Sequence, residues 1–164
     1  MLTTPRLMQR HEQHYSAIRT DVAMKDIPEI VPPLLPVVQA WLKEKGIAPD
    51  GPPFFRYLSM KGSLITMEAG VPVKMPPGME GRIIAGSFPA GRYVTVLHTG
   101  PYSGLRAAHM ALESWSENNE LCLHQCTSKE QTSWGCRTET YLTDPNVETD
   151  PASWQTEIAF LLEA

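Results

Sequence analysis

Arg137, Glu139 and Tyr141 stand two residues apart in the run Gly135 to Leu142, which reads as a strand. Alternation along a strand puts these three on one face and Cys136, Thr138, Thr140 and Leu142 on the other. Phe54 to Met60 reads the same way, with Phe55, Tyr57 and Ser59 sharing a face. Where two such faces meet, Phe55, Tyr57 and Tyr141 would form aromatic walls around one acidic group, Glu139. An apolar cleft with a few placed polar groups is the usual form of a small-molecule site. Desolvation disfavours the charged form of a carboxylate, so a raised pKa and a general acid or base role are expected for Glu139. The plainer reading pairs Glu139 with Arg137 or Arg56 at a sheet edge.

Other chemistries find less support. Cys122, Cys126 and Cys136 are odd in number, so a fully paired disulfide framework within the chain is excluded. The run Cys122-Leu123-His124-Gln125-Cys126 contains soft metal ligands but no standard ligand spacing. His11, His14 and His124 show none either, so no metal site and no cofactor are expected. His98, at a strand end, reads as a turn-stabilising group. No Gly-x-Ser-x-Gly elbow is present, because Gly86 to Gly91 leads into a strand rather than out of one. The glycines are spread through turns and form no phosphate loop or dinucleotide fingerprint.

The 164 residues suit one domain, and 42% hydrophobic with 20% charged residues is ordinary for a globular chain. Fourteen basic against eighteen acidic residues give a net charge of −4, which supplies no counterion-release energy for holding phosphates, so no nucleic-acid partner is expected. The first residues carry no apolar core of a signal peptide, and Ile30 to Leu42, interrupted by Pro32, Pro33 and Pro36, is too short to span a bilayer. A cytoplasmic location without membrane contact is expected.

The elements that would position these residues occur twice. Glu12 to Val22 reads as a strand. Asp26-Ile27-Pro28-Glu29 has the form of a capping box opening a helix, Leu34, Val38, Trp41 and Leu42 give its buried stripe, and Gly46 supplies its C-terminal stop. Strands over Phe54 to Met60 and Ser63 to Val73 follow. In the second half, Arg92 to His98 is a strand, Leu105, Ala108, Leu112 and Trp115 form a helical stripe, and strands over Gly135 to Leu142 and Thr156 to Leu162 close the chain. Tyr15 matches Tyr93 at a spacing of 78, Trp41 and Ile47 match Trp115 and Leu121 at 74, and Tyr57 matches Tyr141 at 84. This is a divergent repeat. The expected architecture is α+β, two pseudo-symmetric strand-helix-strand-strand repeats sharing one core. Residues 1–164 would form one domain, with repeat 1 over about 7–75, a linker at 76–81 and repeat 2 over about 82–163. Trp41 and Trp115 read as core aromatics, with a pocket wall as the alternative for Trp115. Tyr102 fits a packing role and a ligand contact equally well.

Gly51-Pro52-Pro53-Phe54-Phe55-Arg56-Tyr57, Phe88-Pro89-Ala90-Gly91-Arg92-Tyr93, His98-Thr99-Gly100-Pro101-Tyr102 leading to Leu105, Glu139 and Tyr141 before Asp144-Pro145, and Thr156-Glu157-Ile158 occur in this order. The ordered set, covering about residues 7 to 162, resembles the GyrI-like small-molecule-binding family, whose fold also serves as the effector-binding domain of AraC-type and multidrug-sensing regulators. The resemblance implies an antiparallel sheet groove for ligand with helices packed behind. It also implies a stand-alone member, since the first strand begins almost at the N-terminus. Multidrug-sensing relatives set an acidic residue at the position of Glu139 against aromatic cations. Glu139, Tyr57, Tyr141, Phe55, Trp115, Arg137 and Tyr102 are then the expected ligand contacts of a sensor or sequestering, detoxifying protein. A hydrolase of cyclopropane-bearing genotoxins, using Glu139 with Tyr57 or Tyr141, is the alternative, and a topoisomerase partner follows from the family name by analogy alone. One departure is Glu120, where the family usually has Gly; Asn119 is expected to take the left-handed cap instead.

Overall fold

The computed structural model describes residues 1–164. The first half runs β1 (Arg6–Arg10), β2 (Gln13–Ala23), α1 (Ile27–Ile30), α2 (Leu34–Glu44), β3 (Phe54–Lys61) and β4 (Leu64–Pro72). The second runs β5 (Ile83–Phe88), β6 (Gly91–Thr99), α3 (Leu105–Asn118), β7 (Gln125–Thr127), β8 (Gln131–Tyr141) and β9 (Gln155–Leu161). All strands join one antiparallel sheet in the order β1-β6-β9-β8-β3-β4-β2-β5, with the short β7 attached to β8. The order is a palindrome in the repeat: β2-β4-β3 of one half meets β8-β9-β6 of the other, and β3 against β8 is the seam. The outermost strands are exchanged. β1 covers β6 of the second repeat, and β5 covers β2 of the first.

The first helical segment departs from its expected form. Asp26 makes no side-chain cap bond and has helical backbone angles, ending a short 3-10 turn, so the capping box does not form. Pro32 and Pro33 lack the N–H groups that would continue the ladder, and the helix restarts at Leu34. Pro36 is tolerated because it falls in the first turn of α2, where N–H groups have no intrahelical partner anyway. Both long helices end alike. Gly46 takes φ +70°, with Gly46 N–H bonded to Lys43 and Ile47 N–H to Leu42. Glu120, not Asn119, takes the equivalent place at φ +57°, with Glu120 N–H bonded to Glu117 and Leu121 N–H to Ser116. The repeat geometry imposes a left-handed residue there whatever the side chain.

The helices lie on one face of the sheet over two apolar clusters. Val38 and Leu42 of α2 pack with Ile18, Phe55, Met67 and Ala69, and Leu105, Ala108 and Leu112 of α3 pack with Val94, Val96, Ile158 and Phe160. On the opposite face Tyr15, Phe54 and Phe88 stack with centroids 4.6–4.8 Å apart. There the buried Glu68 accepts from the Tyr15 hydroxyl and from two nitrogens of Arg19, at 3.1 and 2.8 Å. Arg56 donates to the Tyr15 hydroxyl (2.9 Å) and to the carbonyls of Ser87 (3.0 Å) and Gly135 (2.9 Å), tying β3 to β2, β5 and β8. No helix is long and apolar enough to cross a membrane.

Candidate functional site

The seam sets Phe55 of β3 directly across from Glu139 of β8. These residues are also repeat counterparts, 84 apart like Tyr57 and Tyr141, so the pseudo-two-fold axis runs between them. Duplication has left an apolar ring on one side of the axis and a carboxylate on the other. Glu139 is only 4% exposed. The two symmetry-related tyrosines reach it from opposite sides: the Tyr57 hydroxyl donates to Oε1 at 2.6 Å and the Tyr141 hydroxyl to Oε2 at 2.7 Å. A third partner comes from α3, where His109 Nε2 lies 2.9 Å from Oε1. His109 is 7% exposed, and its Nδ1 is buried without a partner. The counterpart of His109 in α2, 74 residues earlier, is Leu35, which packs against the cluster containing Phe55. The helix–sheet contact that is apolar in repeat 1 has become an imidazole–carboxylate contact in repeat 2.

Burial pushes the Glu139 carboxyl up. The hydrogen bond and electrostatic pull of His109, joined by the two tyrosine hydroxyls, outweigh that, and the group is held below its ordinary value. The expectation of a raised pKa is therefore reversed, because the three donors serve the ionised form. The same arrangement pushes both phenols well above 10, through burial first and the adjoining carboxylate second. The site holds a fixed negative charge and two neutral hydroxyls.

Around it stands an aromatic fence. Phe55 meets Tyr141 edge-on at 5.0 Å, Tyr102 meets Tyr141 at 5.5 Å, and Tyr102 stacks on Trp154 at 4.6 Å. Tyr57 and Tyr141 are half-buried, and Tyr102 is exposed. A register shift between Tyr57 and Ser59, in the pairing of β3 with both neighbours, lies beside the site, as bulges often do. Phe55, Tyr57, Glu139, Tyr141 and Tyr102 thus come together. Arg137 lies at the edge: it pairs with Glu113 of α3 at 2.5 Å and its guanidinium stacks on Phe160 (4.3 Å) and Trp134 (5.1 Å). Trp115 packs with Leu121 and Leu123 against the cluster under α3. Arg56 is on the other face, so neither arginine pairs with Glu139. His98 Nε2 contacts the Pro101 carbonyl at 3.1 Å and supports the turn before α3. The sequence pattern assigns no role to His109 and leaves Trp154, near a strand start, unplaced. His109 did carry a signal, since it falls four residues after Leu105 and three before Leu112, a polar group within an apolar stripe.

The family model of the GyrI-like small molecule binding domain matches residues 3–163. The chain belongs to this family. Among solved structures, this GyrI-like domain is similar to the EcmrR C-terminal domain, with a TM-score of 0.71 and 26% identity over 98% of this chain and 97% of the other. It is also similar to EcmrR in a complex with DNA, with a TM-score of 0.73 and 26% identity, where 98% of this chain spans 57% of the EcmrR chain. SAV2435 bound to tetraphenylphosphonium shares the fold, with a TM-score of 0.63 and 8% identity over 99% and 95% of the two chains. So does a hydrolase from Listeria innocua, with a TM-score of 0.58 and 14% identity over 97% and 91%. No curated protein matches the chain. A GyrI-like domain of this kind is a small-molecule-binding unit.

Proposed function

We propose that this domain captures amphipathic aromatic cations at the seam of its two repeats, above Glu139, as a sensor or sequestering protein. One observation carries the reading: a buried carboxylate, kept ionised by three donors, is fenced by the half-buried Tyr57 and Tyr141, with the exposed Tyr102 beside them. A delocalised cation is weakly hydrated and loses little on entering such a site, and each tyrosine face adds about 0.5–2 kcal/mol of cation–π attraction. Tetraphenylphosphonium, held by a protein of the same fold, belongs to this chemical class and is the first probe.

Opening of a strained ring by Glu139 with Tyr57 or Tyr141 is the second reading. It asks Glu139 to take a proton from water, whereas its hydrogen bonds hold it below its ordinary basicity. Titration calorimetry with wild type and Glu139→Gln, followed by mass spectrometry of the recovered ligand, separates the readings. The binding reading expects unchanged ligand and an affinity at least about tenfold weaker in the variant, about 1.4 kcal/mol. Equal affinity in both proteins contradicts it, and accumulating product would make the domain an enzyme.

A further inference from the structure

In the free protein the place beside Glu139 already holds a group able to carry positive charge. His109 Nε2 sits 2.9 Å from Oε1, and both side chains are almost fully removed from water. Two cations cannot share one buried carboxylate cheaply, because like charges at close range in a low dielectric repel strongly. Imidazole, unlike Lys or Arg, can lose its charge near neutral pH without leaving its place. As a neutral ring its Nε2–H still donates to Oε1, leaving the Glu139 charge uncancelled.

We infer that His109 is the resident counter-ion of Glu139 and sets the charge selectivity of the site: a monocationic ligand binds by exchange for the His109 proton, which passes to the buffer. The inference rests on the proposed binding of cations at Glu139. The groups around the imidazole are consistent with it. From β3 comes the Tyr57 ring, edge-on at 5.6 Å with its hydroxyl on the same Oε1. From β8 come Glu139 itself, Tyr141 on Oε2, and Arg137, which shares the Phe160 ring with His109 and is neutralised by Glu113 one turn along α3. From β9 comes the Phe160 ring, at 5.6 Å, and no ionisable side chain is shown in contact with His109 from that strand. Burial beside the carboxylate keeps both tyrosines neutral, so the ionisable groups that face each other at this point are Glu139 and His109. Nδ1 is buried without a partner, so no fixed acceptor holds a second proton there and an incoming cation can expel it.

The test is calorimetric titration of tetraphenylphosphonium from pH 5.5 to 8.5 in two buffers of different ionisation enthalpy. The imidazole midpoint of His109 is followed by NMR with and without ligand. Wild type should bind about tenfold more weakly for each pH unit below that midpoint, release close to one proton there, and show the midpoint lowered by ligand. His109→Gln keeps an amide N–H for Oε1 but cannot be charged, so its affinity should not vary over this range. Neutral triphenylphosphine oxide should show no pH dependence with either protein. Binding that is pH-independent in wild type, or a slope that survives in His109→Gln, overturns the counter-ion role while leaving cation binding in place. If His109→Gln does not fold, proton release by wild type decides alone. Absence of binding to wild type at every pH would fail the cation reading and this inference together.

Discussion

Glu139 has exchanged water for three hydrogen bonds, and these are not equivalent. Oε1 keeps His109 when Tyr57 is truncated, whereas Oε2 has Tyr141 as its one protein partner. Hydrogen bonds to charged groups contribute about 1.5–3 kcal/mol, and a stripped buried oxygen costs more than a shared one. Tyr141→Phe should therefore destabilise the fold by about 2–3 kcal/mol and Tyr57→Phe by about 1–1.5 kcal/mol, read from urea melts. A larger loss in Tyr57→Phe would contradict the assignment of donors. The pH dependence follows from the depressed carboxyl. Its contribution is fully present above the unfolded value, near 4.3, and is lost as pH falls through the lower folded value. The melting temperature should hold down to about pH 4 and then drop, with a smaller drop in Glu139→Gln. At this scale strand alternation already placed Glu139 beside Phe55, Tyr57 and Tyr141. The place of His109 in the helical stripe was legible, but its pairing with Glu139 was not, because the partner lies 30 residues away across the helix–sheet interface and no local pattern encodes it.

Elements end and break where local chemistry demands it, and one of these ends is strained. Glu120 carries a side chain in the left-handed region at a helix stop where the first repeat has Gly46. Left-handed conformation costs a non-glycine residue about 1–2 kcal/mol, partly offset by the extra freedom Gly has in the unfolded chain. Glu120→Gly should stabilise the domain by about 0.5–1 kcal/mol, a rise of a few degrees in calorimetric melting temperature. An unchanged or lower melting temperature would show that the cap is relaxed. Gly86 tests the opposite face: a Cβ there would stand 2.5 Å from the Tyr15 ring, so Gly86→Ala should cost about 1–3 kcal/mol in the same assay. The long strands and both helical stripes were readable from periodicity. The interruption at Pro32-Pro33 was written in the sequence but outweighed by the stripe beyond it. β1 and β5 escaped notice because each is short and is stabilised by pairing across the repeat boundary rather than by its own pattern.

At the scale of the molecule, the exchange of β1 and β5 ties each half to the other at its outer edge while β3 and β8 join them at the centre. The helices cover separate apolar clusters, and Tyr141 packs against both. The axis between the repeats is therefore where a ligand can contact both halves without opening either core. Repetition, read from matched tyrosines and tryptophans, located that axis; the packing that buries Glu139 there follows from the folded seam. An open space of about 470 Å³ is lined by Ile47–Asp50 and Lys74–Pro77, away from the axis. A crystal structure of the domain with tetraphenylphosphonium decides between these places. The phosphorus centre is expected within about 6 Å of the Tyr57 or Tyr141 ring and facing the Glu139 carboxylate. Ordered ligand in the space beside Pro49 and Pro76, with the Glu139 seam unchanged, would contradict it.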